Sequence, residues 1–355
     1  MTAPAVPAVA SAAVDAKSRR TARVAIFGAS GYSGQEFVRL ALTHAGVSIG
    51  ALVSREHAGR PAAELMPGID TRAAALPRPV APDQLPALYE EGVFDTLIAC
   101  LPHGAWRAFA MEHDWVERLA RVIDLSSDFR DGASGYAYGL PEAFRESLVG
   151  ATRVANPGCY PTAATLALLP ALDAGWLAGS VTVTALSGVS GAGRAPALRT
   201  SFVELEGGAA IYRAGEEHAH VPEMARNFAR LRRDPTAVAF VPQLAPMARG
   251  ILLTATAPLV RPVDPATAHA AYTQRYADEP FVRVLEPGIW PETRVVKNSN
   301  RCDVTVTTVH GGHTLLATAA IDNLVKGAAG QALQNLNVML GWPENWALPV
   351  HGSPW

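Results

Sequence analysis

RVAIFGASGYSGQEFVRLALTHAG, residues 23–46, decides the fold of this chain. Arg23–Phe27 is a short apolar run that stops at a glycine. After the turn, Phe37, Val38, Leu40, Ala41 and Leu42 recur at helical spacing until Gly46. A strand, a glycine-rich turn and a helix in that order form the opening of a βαβ unit. The glycines at Gly28, Gly31 and Gly34 follow a GxxGxxG spacing rather than GxGxxG, with Ser30, Tyr32 and Ser33 between them. Glycines there let backbone approach a pyrophosphate, and the helix start offers free N–H groups with partial positive charge. A plain tight connection is the alternative. The strand before and the helix after favour a dinucleotide site.

Working outward, VSIGALVS (47–54), FDTLIACLP (94–102) and RVIDLSSDF (121–129) are further apolar strands separated by helical patterns. Continuous apolar strands alternating with helices predict a parallel sheet covered on both faces, reaching to residue 155. The strand at 47–54 ends in Ser54-Arg55, with Arg60 close behind, where an NAD site carries an acid for the ribose diol. A hydroxyl and a guanidinium suit a 2′-phosphate, so NADP(H) is the expected cofactor. The second half changes character. SVTVTALSGVSG (180–191), AVAFVPQL (237–244), GILLTATAPLV (250–260) and RCDVTVTTVHGGHTLLATAAI (301–321) are β-branched runs with partial alternation. They predict a mostly antiparallel sheet with one face against helices. DNLVKGAAGQALQNLNVML (322–340) closes the chain as an amphipathic helix that Asp322 caps and Gly341 with Pro343 stops. The fold class is therefore α/β: a Rossmann-type parallel-sheet domain at 23–155, then an α+β substrate and dimerisation domain at 156–321.

Composition bounds the partners. Thirty basic and 32 acidic residues leave a net charge of −2 without a basic stripe, so no nucleic acid and no membrane surface is expected. No apolar run approaches the roughly 18–20 residues a membrane span needs. Residues 1–22 lack an apolar signal core and are expected to be a disordered tail rather than a signal or transit peptide. Three scattered cysteines, Cys100, Cys159 and Cys302, make no disulfide framework and suit a reducing, cytoplasmic compartment in which one thiol does chemistry.

That thiol is Cys159 in NPGCYPT (156–162), ahead of a helical run that Pro161 helps to open. A cysteine at a helix N-terminus is expected to have a lowered pKa, and the free N–H groups beside it can hold an oxyanion. Cys100 and Cys302 lie in strands and read as structural. The block EHAHVPE (217–223) sets His218 and His220 two apart with no convincing third ligand, so no metal site is expected. A histidine that exchanges protons with the thiol and the product oxygen is the economical reading, with a structural pair as the alternative.

These blocks together, with LPHG (101–104), DLSSDFR (124–130), YGLPE (138–142), SGVSGAGR (187–194), PMARGIL (246–252) and DNLVKGAAGQA (322–332), resemble the N-acetyl-γ-glutamyl-phosphate reductases. Those are the arginine-biosynthesis members of the aspartate-semialdehyde dehydrogenase superfamily. The resemblance implies reduction of an acyl phosphate by NADPH through a thioester on Cys159, with His218 as acid and base and His220 in support. It further implies cofactor contacts at Pro102, His103, Ser187, Gly188, Gly191 and Asn323. Residues 322–355 would return to complete the dinucleotide domain. Asn156, Arg194, Glu223 and Arg249 are implied as substrate contacts, either arginine being alternatively a packing cation. A homodimer or homotetramer is expected. The family pattern HRHTPEI is departed from at Ala219, Val221 and Met224. Aspartate-semialdehyde dehydrogenase, a reductase of a carrier-bound aminoadipyl or glutamyl phosphate, and a non-catalytic NADP-sensing module are the competing readings. A sensor needs neither the thiol nor the histidines.

Overall fold

The computed structural model describes residues 21–70, 75–132, 134–232, 234 and 236–353; the expected tail lies almost wholly outside the described residues. The first sheet holds β1 (Ala22–Phe27), β2 (Val47–Val53), β3 (Thr96–Ala99), β4 (Arg121–Asp124), β5 (Ala137–Tyr138) and β6 (Arg153–Ala155) in the order β2-β1-β3-β4-β6-β5. Every pairing in it is parallel. β3 is buried along its whole length, as a strand covered on both faces must be. The order reverses between β1 and β3, and ligands of open α/β sheets bind at such a switch point.

The second sheet holds β7 (Val181–Ser187), β8 (Ala210–Ile211), β9 (Val238–Leu244), β10 (Ile251–Pro258), β11 (Val282–Val284), β12 (Cys302–Val309) and β13 (Thr314–Ile321), in the order β11-β12-β13-β10-β7-β9-β8. It is mixed: β7 pairs with β9 and β11 with β12 in parallel, and the remaining pairs are antiparallel. Burial alternates residue by residue in β7, β9 and β10, so one face meets the core and the other does not.

Helix Cys159–Asp173 joins the two sheets. It leaves the carboxyl end of β6, is buried from Tyr160 to Leu172, and packs across β10, β12 and β13. The chain's last helix differs from the expected amphipathic one. It begins as a π-helical turn, Val325–Ala329, and every residue of Gly330–Leu340 is buried. Its polar side chains are satisfied inside: Asn335 Nδ2 donates to the Gly139 carbonyl at 2.9 Å, and Gln334 Nε2 to Glu142 Oε1 at 3.0 Å. Asp322 does cap the start, its Oδ1 accepting from the N–H groups of Leu324 and Val325, and Gly341 closes the end at φ +69°. Val325, Ala329, Ala332, Leu333 and Leu336 share one core with Val24, Ile26, Phe37 and Val38, so the end of the chain fills the first sheet's interior.

Candidate active site

The glycine turn sits at the switch point and has no room for a side chain at Gly28 or Gly34. Gly28 holds φ +90°, and a Cβ on it would lie 2.3 Å from the Cys100 carbonyl oxygen at the end of β3. A Cβ on Gly34 would lie 2.4 Å from the Gly28 oxygen. Helix Tyr32–Ala41 starts at Gly31 without a side-chain cap, so its first N–H groups are not claimed by a side chain. A backbone cradle of this kind fits a dinucleotide pyrophosphate. Ser54 is buried beside it, its Oγ 3.3 Å from His57 Nδ1, and Arg55 is exposed.

Across the cleft lies the turn that follows β7. The Asn323 side chain ties it down, Oδ1 accepting from Gly250 N at 2.7 Å and Nδ2 donating to Ser190 Oγ at 3.0 Å. Gly188 packs with no space for a Cβ against Ala248 and Arg249 backbone, and Gly191 lies over Ser187 Oγ. Pro102 and His103 are exposed at the end of β3, and His103 Nδ1 accepts from Ser127 N. A cavity of about 620 Å³ opens between Tyr32, Gln35, Met66, Val189, Ser190 and Arg194.

Cys159 stands at the first position of its helix, half-buried, with Gly158 as N-cap in extended backbone. Beneath it lies a buried ion pair that neither partner's local sequence announces. Arg130 Nη1 meets Glu223 Oε2 at 3.0 Å, both groups nearly inaccessible. Glu223 Oε1 accepts from Tyr138 Oη at 2.7 Å and from Gly158 N at 2.9 Å. Arg130 also donates to the carbonyls of Asn156 and Leu125. Glu223 is thus not presented to substrate: its oxygens pin the loop that carries the thiol. Asn156 is committed in the same way, Oδ1 to Asn335 and Nδ2 to the Ala328 carbonyl. Sequence reasoning quoted the segments of Arg130 and Tyr138 without giving either residue a role.

The expected low thiol pKa is not what the environment produces. Burial pushes Cys159 up to about 11, and the Arg130 charge and the N–H groups of Tyr160 and Cys159 only partly oppose it. At neutral pH the thiol of the free protein holds its proton.

Both histidines reach this place. His220 Nε2 would touch a Cβ built on Gly158 at 2.5 Å, and its Nδ1 is buried with no hydrogen-bond partner among the described residues. His218 sits among Tyr160, Tyr212 and Phe240 with ring centroids 5.8, 5.7 and 5.0 Å away. Its Nδ1 accepts from His220 N, which places the proton of the neutral ring on Nε2. Burial first, then the Arg213 charge, hold His218 down at about 4; burial and Arg130 hold His220 well below its usual value. Both rings are neutral at pH 7.

The two arginines considered for the substrate lie elsewhere. Arg249 is a packing cation, paired with Glu36 at 3.0 Å and Asp322 at 3.4 Å and bonded to Asn298. Arg194 is exposed and donates to the Ser30 carbonyl in the glycine turn.

Comparison with known proteins gives the family and the fold. Residues 23–151 match the semialdehyde dehydrogenase NAD binding domain and residues 159–323 the semialdehyde dehydrogenase dimerisation domain. The chain is 42% identical over 350 residues to the N-acetyl-γ-glutamyl-phosphate reductase of Streptomyces clavuligerus, covering 94% of this chain and 99% of that one. It is 40% identical over 349 residues to the enzyme of the same name from Saccharopolyspora erythraea, covering 94% and 99%. This chain belongs to the N-acetyl-γ-glutamyl-phosphate reductase family. As a member of that reductase family it is an oxidoreductase with the two-domain semialdehyde dehydrogenase fold. Aspartate semialdehyde dehydrogenase II of Vibrio cholerae shares that fold at TM-score 0.70 and 17% identity, covering 90% of this chain and 98% of that one. The Candida albicans enzyme with NADP does so at TM-score 0.67 and 15% identity, covering 92% and 99%.

Proposed function

We propose that this protein reduces N-acetyl-γ-glutamyl phosphate to the semialdehyde through a thioester on Cys159, with NADPH as reductant. The observation that carries it is the thiol at a helix N-terminus with a buried Arg130–Glu223 pair beneath and His218 and His220 packed alongside. Sulfur attacks the acyl carbon, the carbon–sulfur bond forms, and the carbon–oxygen bond to phosphate breaks. The thiol proton leaves with the phosphate, which needs one. When bound, NADPH supplies the hydride that reduces the thioester carbon. The N–H groups of the Cys159 helix hold the carbonyl oxygen as charge gathers there. His218, with its ring fixed through Nδ1, donates a hydrogen bond from Nε2 to that oxygen without giving up the proton, and His220 supports it. Rupture of the carbon–sulfur bond then releases aldehyde, and the departing sulfur takes up a proton from water to restore the thiol.

The glycine turn, with Gly28, Ser30, Gly31, Tyr32, Ser33 and Gly34, would hold the pyrophosphate, and Ser54 and Arg55 the 2′-phosphate. Pro102, His103, Ser187, Gly188 and Gly191 would line the nicotinamide end, with Asn323 fixing the latter turn. Residues 23–155 with 322–355 form the dinucleotide unit in this reading, and 156–321 the catalytic one. The dimerisation match fits a homodimer built on the outer face of the second sheet. There Thr182, Thr184, Leu186, Val241, Leu252, Thr254 and Leu316 are partly exposed without a charge among them. Free thiols suit a cytoplasmic setting; among the described residues no helix is long and apolar enough to cross a membrane.

The test runs the reaction backwards, following phosphate-dependent reduction of NADP with N-acetylglutamate semialdehyde beside aspartate semialdehyde and a carrier-bound aminoadipate semialdehyde. The N-acetyl substrate is expected to win on kcat/KM by orders of magnitude. Preference for the carrier-bound aldehyde, or reduction independent of phosphate, would defeat the reading.

A further inference from the structure

The cations near the thiol leave an accounting problem. An acyl phosphate of an amino-acid derivative brings a phosphate and a carboxylate, yet Arg130, Arg249 and Arg194 already have partners. Arg199 donates to the Ile211 carbonyl and lies over the Tyr212 ring. Ala219, between the two histidines, contributes no charge.

Arg213 is different. It is exposed and its guanidinium has no hydrogen-bond or ion-pair partner among the described residues. Its backbone sits at φ +43°, a left-handed conformation that is strained for a residue with a Cβ. Such strain persists only where the surroundings impose it, and it concentrates at functional sites. Here the surroundings are the site itself. The preceding residue, Tyr212, is anchored by its N–H to the Pro242 carbonyl and by its hydroxyl to Tyr160 Oη at 2.8 Å, one residue from Cys159. The Tyr212 ring lies 5.7 Å from His218. The Arg213 charge acts on both His218 and Tyr212, so it stands within electrostatic reach of the reacting groups.

We propose that Arg213 is the substrate's anion anchor, its strained backbone turning a free guanidinium toward an oxyanion held beside Cys159 and His218. The inference rests on the acyl-phosphate reading and names the contact that reading lacked. Phosphate and carboxylate both offer the oxygens a guanidinium fork would take.

The variants to compare are Arg213→Gly, which accepts the left-handed backbone without strain and removes the side chain with its charge, and Arg213→Lys, which keeps the charge. In the reverse assay Arg213→Gly is expected to raise KM roughly ten- to a hundredfold, the range of one charge-assisted hydrogen bond. A rise confined to phosphate identifies the phosphate as the anchored group, and a rise confined to the aldehyde identifies the carboxylate. NADP affinity should stay unchanged, Arg213→Lys should recover much of the loss, and the His218 titration seen by NMR should move to higher pH. Unaltered KM for both substrates, or a lysine variant as defective as the glycine one, would overturn the proposal. An unmodified enzyme without phosphate-dependent activity would instead indict the acyl-phosphate reading.

Discussion

At Cys159, two influences compete and burial wins. A helix N-terminus and Arg130 favour thiolate, but the thiol still titrates at about 11 because desolvation outweighs them. Alkylation of the free enzyme at Cys159 should therefore quicken about tenfold per pH unit from 7 to 9, following the thiolate fraction. A rate that levels off near pH 7 would show a thiolate already formed. Glu223 works against ionisation and Arg130 for it. Glu223→Gln should thus shift that profile to lower pH while destabilising the fold by about 3–5 kcal/mol, since it strips a buried guanidinium of its counter-charge. Gly158 makes the complementary case by shape. Alanine there would meet His220 Nε2 at 2.5 Å and Arg130 Nη1 at 2.8 Å. Gly158→Ala should fold, bind NADP normally and lose kcat a hundredfold or more, as measured by steady-state kinetics and a cofactor titration.

Among the elements, the closing helix is the most informative. Lys326 in its π-helical turn is fully buried, Nζ 2.5 Å from Glu142 Oε1 and 2.7 Å from Gln334 Oε1. Burial alone would raise the Glu142 pKa, yet Lys326 and Gln334 hold it below the usual value. Lys326→Met should destabilise by about 3–5 kcal/mol in denaturant melts near neutral pH, and the deficit should shrink on acidification as Glu142 takes a proton. Adding Glu142→Gln should return part of the loss. The sequence told part of this story. The glycine turn, the long apolar strands and the Asp322 cap were legible because each is a local pattern. β5, β8 and β11 span two or three residues and leave no periodic signal. Nor is the Arg130–Glu223 pair, 93 residues apart, visible in any window. The closing helix was misjudged as amphipathic for a related reason. Glutamine and asparagine look like a wet face until their partners at Gly139, Glu142 and Asn156 are known.

For the whole molecule, the groups whose titration the fold displaces set a stability window. His44, His103, His218 and His220 are all held below the usual 6.5, so the unfolded chain takes up protons the folded one refuses. Stability should accordingly fall as pH drops below about 6.5 toward 4. Asp124, raised from 3.8 to about 6, and Glu279, raised from 4.5, pull the other way over part of that range, two carboxyls against four histidines. On the alkaline side Cys100, Cys159 and Cys302 are raised above 9.0, so stability should fall again once the unfolded thiols ionise beyond about pH 9. Thermal melts across pH 5 to 10 should trace a plateau between these limits; a steady gain below pH 6 would contradict it.

Because Val325, Leu333 and Leu336 lie in one interior with Val24 and Phe37, birth order on the ribosome matters. The first sheet emerges well before the wedge that seals it, with the whole second sheet made in between. For most of synthesis its apolar underside has no permanent cover, and nascent chains in that condition are clients for chaperones. A chain stopped after Ile321 should therefore bind a hydrophobic dye and stay bound to the chaperone Hsp70, whereas the full-length product is released as soon as its final helix arrives.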